Sequence, residues 1–486
     1  LACTYTCMLN LNLKPESLSL GVIVPILKKP CLDPNDVNNY RPITLSSVHS
    51  KFIELCLLPE DDDLCNAQFG YRKGRSTEFG CVYLHDMILH FNSLGSPLFL
   101  GSLDAAKCFD TVWHDGLFYK LWSHIPISNW IFIVNWYRSM KAVVKWNNHL
   151  GNMFPVTVGT RQGSILSPKL FNFFINDLLE EIRHSPYGLR VGNDLHNCFA
   201  YADDISIFAS TAPQLQSLLD ICQRYADMWR FNFNHKKSFC MIAGKSPFIE
   251  EPEWHLNGKV LQTAQELEIL GVTFVNNMDP SSHISKRISK ARRSIYRYRG
   301  AGVSYPGLAS NVKAHIWRTT GVPSMTFGMN CLNLNSNHIH KLESEQGSIM
   351  KALLGVGKRS HHSPILAALH IPRIRCIIQN DTLSLCRRIF ACASPVRDLS
   401  VFFLSQALVD GHTTKGTLVD RLFKMNPPTL SVLLDPKSKW WHEQYRREPR
   451  DVSGTVDSLR YLLHHKDYNN PYGEHRRLAS LLVRAF

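Results

Sequence analysis

The sequence predicts an α+β fold in which helices back a β-sheet. Short apolar runs bounded by polar residues indicate strands, and longer segments with apolar residues at helical spacing lie between them. One apolar run is split by Ala-Asp-Asp at residues 202–204, which is typical of a β-hairpin. The chain has 486 residues, of which 44% are hydrophobic and 19% charged, so about three domains are expected and a disordered chain is excluded.

The individual elements follow from these patterns. They are a buried strand over 97–104, a helix over 169–182, a hairpin over 198–209, a helix over 215–229 and strands over 231–243 and 267–275. Pro168 precedes the first of these helices, as expected for a helix start. After about residue 350 the sequence is mostly helical with proline breaks.

The charge of the chain indicates a polyanionic partner. Lys+Arg total 54 against 40 for Asp+Glu, a net charge of +14, which favours nucleic acid or an acidic membrane surface. No window approaches 18 uninterrupted apolar residues, so the sequence predicts no membrane span. The cysteines are scattered without paired spacing, which favours reduced thiols in an intracellular protein of the cytoplasm or nucleus over zinc or disulfides.

A basic helix is predicted over 284–299. Residues 280–342 contain ten Lys/Arg and no Asp or Glu. Four cations recur at helical spacing: Lys286, Lys290, Arg293 and Arg297. An apolar stripe lies two residues earlier, on the other face: Ile284, Ile288, Ala291 and Ile295. A one-sign face without acidic partners favours phosphate contact, while a merely solvated face is the alternative.

Two carboxylate positions end apolar strands. Asp104 closes one predicted strand, and Asp203 and Asp204 lie at the hairpin tip. Like charges at a tip repel one another unless a cation neutralises them. Three oxygen donors suit Mg²⁺, and two such ions would support the in-line displacement of a nucleotidyl transferase. The spacing alone leaves an ordinary turn or cap role open for each Asp.

Seven ordered segments add to this pattern, namely residues 39–47, 68–77, 104–112, 159–168, 199–204, 234–238 and 270–272. In this order they resemble the reverse transcriptase of non-LTR retrotransposons, the jockey-like and long-interspersed-element group. The resemblance implies a right-hand polymerase fold. Fingers and palm are expected over 15–275, a thumb over 276–350, and a helical extension of unknown role over 351–486.

The resemblance implies an RNA-directed DNA polymerase that extends a DNA primer on an RNA template with dNTPs and two Mg²⁺ ions. Asp104 and Asp203 would be the metal-bridging ligands, with Asp204 as third carboxylate. Lys237 would be the general acid that protonates pyrophosphate, with Lys236 as an alternative carrier.

Further roles are implied for the nucleotide and the duplex. The family places an aromatic ring under the sugar C2′, here Phe109, where it would exclude a ribose 2′-OH. Contacts to the nucleotide or template are expected from Lys51, Arg72, Arg75, Arg161, Gln162 and Gly163. The basic stripe falls in the thumb, where it would follow the primer–template duplex. A core Phe and solvated fingers cations are the alternatives.

Two departures from the family predict a truncated copy. The segment 54–67 is shorter than the family's helix and suggests an internal deletion, and the chain begins on Leu just before the fingers. One rival is an inactive remnant that only binds RNA. The other is a different polymerase, either a group II intron maturase-like enzyme or a viral RNA polymerase. Phe109 argues against the viral enzyme, because an RNA polymerase must admit the 2′-OH.

Overall fold

The computed structural model describes residues 2–61, 63–244, 252–298, 300, 302–303, 307–409, 413–425 and 439. The strands are β1 (Leu20–Leu27), β2 (Tyr40–Leu45), β3 (Leu98–Asp104), β4 (Lys141–Trp146), β5 (His149–Leu150), β6 (Phe154–Pro155), β7 (Leu189–Val191), β8 (Asp194–His196), β9 (Cys198–Tyr201), β10 (Asp204–Ala209), β11 (Phe239–Ala243), β12 (Trp254–Leu256), β13 (Lys259–Thr263), β14 (Glu266–Ile269) and β15 (Val272–Val275).

The helices are α1 (Ala2–Asn10), α2 (Glu16–Ser19), α3 (Val48–Cys56), α4 (Thr77–Ser93), α5 (Cys108–Thr111), α6 (His114–Leu121), α7 (Ile127–Arg138), α8 (Ser167–Phe174), α9 (Asn176–His184), α10 (Ala212–Met228), α11 (Ser281–Tyr296), α12 (Ser310–Ile316), α13 (Val322–Thr326), α14 (Ser336–Leu354), α15 (His362–Ala368), α16 (Ile374–Ala391), α17 (Pro395–Val409) and α18 (Leu418–Phe423). Short 3₁₀ or π turns occur at Val37–Asn39, Trp317–Gly321 and Met329–Cys331.

The chain divides into two compact units. The first comprises residues 1–80, 97–242 and 246–264, and the second comprises 81–96, 243–245 and 265–486. The predicted boundaries at 275 and 350 stay predictions. Residue 299 of the predicted basic helix and nearly all of the predicted extension beyond residue 425 lie outside the described residues.

The first unit contains two larger sheets. One of them has the strand order β2-β1-β4-β5, and β6 also pairs with β4. The other has the order β12-β13-β11-β3-β10-β9, and α9 and α10 pack against it. Leu215, Leu218, Leu219 and Cys222 of α10 are buried at helical spacing. Burial of each leucine side chain is worth about 1.5–3 kcal/mol, so this face fixes the helix on the sheet. The predicted α+β class is confirmed.

The second unit is mostly helical. Beside the β14–β15 hairpin lies α11, whose buried residues Ile284, Ile288, Ala291 and Ile295 join a core with α14. A capping box at Asn335 begins α14. Gly355 ends it with a φ of +70°, a conformation that glycine adopts without steric cost.

Two predicted elements are interrupted in the structure. The helix expected over 169–182 is two helices, α8 and α9, with the break at Ile175. At the break, the Asn176 side chain accepts the N–H of Cys65 (2.7 Å) and donates to the carbonyl of Asp63 (3.2 Å). The strand expected over 267–275 is the β14–β15 hairpin. Its Leu270 and Gly271 both have positive φ, as a type I′ turn requires.

A third prediction was too long. The strand expected over 231–243 is a strand only in β11, because Asn234 forms a turn before it. The Asn234 carbonyl accepts the N–H groups of Lys237 (3.0 Å) and Ser238 (2.9 Å), and its side chain accepts that of Lys236 (3.1 Å). The strand at 97–104, the hairpin at 198–209 and the helix at 215–229 are confirmed, although α10 begins earlier at Ala212.

Candidate active site

Three carboxylates meet at one end of the β3–β10 pair. These strands are antiparallel, and Asp104 lies directly opposite Asp204 in their register. Directly opposite residues project from the same face of a sheet, with Cβ atoms typically about 4.5–5.5 Å apart. Asp203 occupies the two-residue loop between Tyr201 of β9 and Asp204 of β10. Strand register and a tight turn therefore bring together the three predicted metal ligands.

The electrostatics of this cluster favour a positive ligand. Partial burial, followed by the charges of Asp203 and Asp104, raises the pKa of Asp204 to about 6. Burial and the charge of Asp104 also raise the pKa of Asp203, against the opposing effect of Lys237 and of a hydrogen bond from the Cys108 thiol. Asp204 itself remains exposed, so solvent screens part of this repulsion.

Lys237 is the nearest cation to the cluster. Its Nζ lies 3.3 Å from Oδ2 of Asp104, and its side chain is mostly exposed. The Asn234 turn places it, because Asn234 donates its N–H to the carbonyl of Asp104 (2.8 Å). Ser238 Oγ accepts the N–H of Asp104 (3.2 Å), which fixes the other end of the turn. Asn234 lies within a predicted motif, but sequence reasoning gave it no role.

The segment that carries Phe109 and Asp110 contacts the loop that carries Thr160 and Gln162. The carbonyl of Phe109 accepts the N–H of Thr160 (2.6 Å), and the half-buried Phe109 ring lies 5.0 Å from that of Phe171. Gln162 Nε2 donates to Asp110 Oδ1 (2.7 Å), a pairing that sequence reasoning missed although Asp110 stands in a predicted motif. Burial raises the pKa of Asp110.

The backbone conformation and the close approach of β2 require glycine at position 163 of this loop. Its φ is +108°, and a Cβ there would lie 2.9 Å from the carbonyl oxygen of Thr44. The N–H of Thr44 in turn donates to the carbonyl of Gln162 (2.7 Å). Gly163 therefore allows the loop to lie against β2, which is a structural reason for glycine at this predicted site position.

Two residues predicted to contact the nucleotide bind main-chain carbonyls of the protein, and their nucleotide contacts stay predictions. Arg161 is buried, and its guanidinium donates to the carbonyls of Leu18 (3.2 Å) and Ser19. Arg72 donates to the carbonyls of Cys65 (2.7 Å) and Asp61 (2.9 Å). Main-chain carbonyls require hydrogen-bond donors, and these guanidinium groups supply them here.

The other two fingers cations differ from each other. Arg75 donates to the carbonyls of Asn66 (2.7 Å) and Gln68 (3.0 Å), and so shares the structural role of Arg72. Lys51 lies exposed on α3. The structure brings neither side chain to the carboxylate cluster, and a nucleotide role for Lys51 stays a prediction.

Comparison with known proteins decides the family. Residues 26–274, just over half of the chain, match the family described as reverse transcriptase (RNA-dependent DNA polymerase). The chain belongs to this family. The match spans the carboxylate cluster, the Asn234 turn and the loop at 159–163, and it confirms the resemblance that the ordered motifs predicted.

Curated proteins similar to the chain include polymerases of jockey elements. The chain is 24% identical over 399 residues to the RNA-directed DNA polymerase from mobile element jockey of Drosophila melanogaster, covering 78% of this chain and 42% of that protein. The jockey polymerase of Drosophila funebris is 24% identical over 387 residues, covering 76% and 41%. The chain thus spans about two fifths of the length of these relatives.

The solved structures that are similar to this chain include telomerases. Apo telomerase from Candida tropicalis is 11% identical with a TM-score of 0.42, covering 91% of this chain and 73% of that one. The same enzyme in complex with a fragment of telomeric RNA is 10% identical with a TM-score of 0.42, covering 84% and 65%.

The donor set of this reverse transcriptase family member fits a hard divalent cation. Asp104, Asp203 and Asp204 supply carboxylate oxygens, the ligands that Mg²⁺ prefers. Among the described residues, no group of three or more His, Cys, Asp or Glu side chains is already arranged as a metal cluster. The three carboxylates are neighbours whose charges oppose one another, which a bound cation would relieve.

The basic helix lies in the second unit. As predicted, its apolar stripe is buried, and Lys290, Arg293 and Arg297 are exposed. The assumption of a stripe without acidic partners was wrong for Lys286, which pairs with Glu266 of β14. Elsewhere on the helix, Arg292 pairs with Glu345 of α14 (2.6 Å). In the part of the chain that the structure describes, no helix is long and apolar enough to cross a bilayer.

Proposed function

We propose that this chain catalyses RNA-templated DNA synthesis, in which a primer 3′-OH attacks the α-phosphate of a dNTP and pyrophosphate leaves. The observation that carries the proposal is the register of β3 and β10, which sets Asp104 opposite Asp204 with Asp203 at the adjoining tip. The family match over residues 26–274 supports it.

The carboxylates are proposed to hold the metal ions. Asp104 and Asp203 would be the bridging ligands of two Mg²⁺ ions, with Asp204 as the third carboxylate. Bound divalent ions supply activation of the hydroxyl and stabilisation of the leaving oxygen in such displacements. The raised pKa values of Asp203 and Asp204 support this assignment. Burial raises them most and neighbouring carboxylates add to the effect, and a bound cation would offset both causes by stabilising the charged form.

Lys237 is proposed as the proton donor. Bond formation releases the proton of the 3′-OH, and the pyrophosphate that leaves takes up a proton. Lys237 is exposed to solvent and lies 3.3 Å from Asp104, so its ammonium group can reach a phosphate held at the carboxylates. Lys236, one residue earlier in the same turn, is the alternative carrier.

Sugar selection is assigned to Phe109. Its ring is half-buried against Phe171, and it follows Asp104 by five residues. A ring at C2′ would clash with a ribose hydroxyl and admit a deoxyribose. Gln162, held by Asp110, is proposed to contact the incoming nucleotide as well.

The partners are an RNA template, a DNA primer and dNTPs. We assign fingers and palm to residues 15–275, the thumb to 276–350 and an extension of unknown role to 351–486. Exposed cations of α11 would contact the duplex backbone. No cysteine whose side chain the structure describes forms a disulfide, which supports an intracellular site of action in cytoplasm or nucleus.

Primer extension on poly(rA)/oligo(dT) with Mg²⁺ tests the function. Asp203→Asn removes a metal ligand but no phosphate contact, so we expect extension to fall by on the order of 10³-fold, equivalent to several kcal/mol of transition-state stabilisation. Duplex binding should remain near that of the wild type.

The matched control is Asp194→Asn, an exposed aspartate on β8. It should extend primers like the wild type. Ordinary extension by Asp203→Asn would remove the metal assignment. A wild-type chain that binds the duplex but never extends it would instead favour the RNA-binding remnant.

Phe109→Val tests the choice of sugar. Removing the ring should relax discrimination between dNTP and rNTP by about 10–100-fold, the range associated with altered steric fit in a pocket. Single-turnover rates with dTTP and UTP measure this ratio. Phe171→Leu alters the neighbouring ring and controls for loosened packing. Equal selectivity in Phe109→Val and the wild type would show that Phe109 is only a core residue.

A further inference from the structure

The edge of the active-site sheet is covered by a short segment of the chain. β9 is the outermost strand of its sheet, and residues 67–70 run along its free edge. Ala200 donates its N–H to the carbonyl of Ala67 (2.9 Å) and accepts the N–H of Phe69 (2.8 Å). Gln68 and Ala200 form a parallel bridge between these two segments. The covered edge leads directly to the hairpin tip.

The side chain of Gln68 continues the contact to that tip. Its Oε1 accepts the N–H of Ala202 (3.0 Å) and that of Gly70 (2.8 Å), and the residue is fully buried. Ala202 has a φ of +55° as the first residue of the two-residue loop, a position where glycine is favoured. Gln68 therefore holds the main-chain N–H of Ala202, the residue with positive φ that immediately precedes Asp203.

Two further contacts fix this segment. Asn172 of α8, also fully buried, donates its Nδ2 to the carbonyl of Gly70 (2.8 Å). Gly70 lies so close to the hairpin that a Cβ would stand 2.4 Å from the nitrogen of Ala202 and 2.9 Å from the carbonyl carbon of Tyr201. The segment can approach the tip this closely only with glycine at position 70.

We propose that Gln68, Gly70 and Asn172 form a positioning clasp that sets where Asp203 lies relative to Asp104. The proposal rests on the proposed function, since it concerns the metal-binding geometry of the same carboxylates. A loop that carries one ligand on a two-residue turn has little rigidity of its own, and the clasp supplies it. Groups that orient metal ligands in this way commonly change metal affinity 10–100-fold when they are removed.

The first test removes the acceptor and keeps the shape. Gln68→Met in the full chain should weaken Mn²⁺ binding, measured by electron paramagnetic resonance, by about 10–100-fold. In primer extension, kcat should fall in parallel while KM for dTTP stays within about twofold, because the clasp acts on metal geometry rather than on nucleotide contacts. Gln346→Met is the matched control, since Gln346 is equally buried but belongs to the second unit.

The second test disturbs the clasp from the other side. Gly70→Ala places a methyl group against Ala202 and should give the same combination of weaker Mn²⁺ binding and lower kcat. Gly151→Ala is its control, because a Cβ at Gly151 meets only a carbonyl oxygen at 3.6 Å. This variant keeps the proposal testable if Gln68→Met does not fold.

The outcomes separate positioning from ordinary stability. If either clasp variant melts at a lower temperature but binds Mn²⁺ with wild-type affinity, the residues are structural and the proposal is overturned. A wild type that extends no primer would overturn the proposed function alone, because the Mn²⁺ affinities of the clasp variants and their controls still decide whether the clasp positions Asp203.

Discussion

The two strongly charged regions of the chain are built in opposite ways. In the first unit, strand register and a tight turn bring Asp104, Asp203 and Asp204 together on short side chains. In the second unit, the cations of α11 are spread along a helix on long side chains. Lys286 has an acidic partner in Glu266, so the protein itself neutralises part of that charge.

This contrast between the two regions indicates which kind of clustered charge is good evidence for a bound ligand. Long side chains can turn toward internal partners, so a basic stripe read from sequence overstates the charge left for a ligand. Carboxylates on short side chains have less such freedom. Burial, and after it the charges of Asp203 and Asp104, raise the pKa of Asp204 to about 6, so part of this shift comes from mutual repulsion. The carboxylate cluster is therefore the stronger evidence for an ionic ligand.

The largest expected effect is that of Asp204→Asn on the pH dependence of stability. In the metal-free wild type, the pKa of Asp204 is raised from 3.8 to about 6, so the folded state binds more protons than the unfolded state between these values. The contribution of Asp204 to stability should then fall as the pH rises from about 4 through 6, and this contribution should be absent above about 6. The variant lacks this loss, so its melting temperature relative to the wild type should rise over that window in EDTA.

Added Mg²⁺ at pH 7 gives the complementary measurement. It should raise the melting temperature of the wild type more than that of Asp204→Asn, because a cation relieves the repulsion only where all three carboxylates are present. Asp194→Asn should follow the wild type in both experiments. A melting difference independent of pH would show that the cluster carries no unrelieved charge, and the contrast with α11 would disappear.

The carboxylate cluster was predictable from sequence for a definite reason. Apolar runs ending on Asp104 and flanking Asp203 define strands, and strand geometry then fixes where short side chains go. Arg72 and Arg161 were not predictable in this way. Their targets are main-chain carbonyls, such as those of Cys65 and Leu18, and no periodic pattern in the sequence marks these.

The missed features of the fold have a similar origin. The β14–β15 hairpin depends on positive φ at Leu270 as well as Gly271, and a leucine gives no signal for that conformation. Without the hairpin, Glu266 could not be placed beside Lys286, so the stripe seemed to lack acidic partners. The clasp was missed because Gln68 makes its contacts to residues more than 130 positions later.

The smallest expected effect concerns the basic stripe. Lys290, Arg293 and Arg297 have no ion-pair partner among the described residues, whereas Lys286 is paired with Glu266. Changing the three unpaired cations to Gln should weaken binding to an RNA–DNA duplex equally for every sequence, because phosphates carry no base identity. Each lost contact should flatten the slope of log K against log[NaCl] by roughly 0.7–0.9, measured in EDTA.

Lys286→Gln alone separates the two kinds of cation on this helix. Because Glu266 already neutralises Lys286, the single change should leave the salt slope within error of the wild type. The control Lys259→Gln, an exposed lysine on β13, should do the same. Melting should change little in either variant or in the triple variant, since the apolar stripe through Ile288 stays buried.

A slope unchanged in the triple variant would identify a solvated face. If Lys286→Gln flattens the slope as much as the loss of one unpaired cation does, the ion pair with Glu266 opens on binding. Neutralisation within the protein would then not distinguish α11 from the carboxylate cluster.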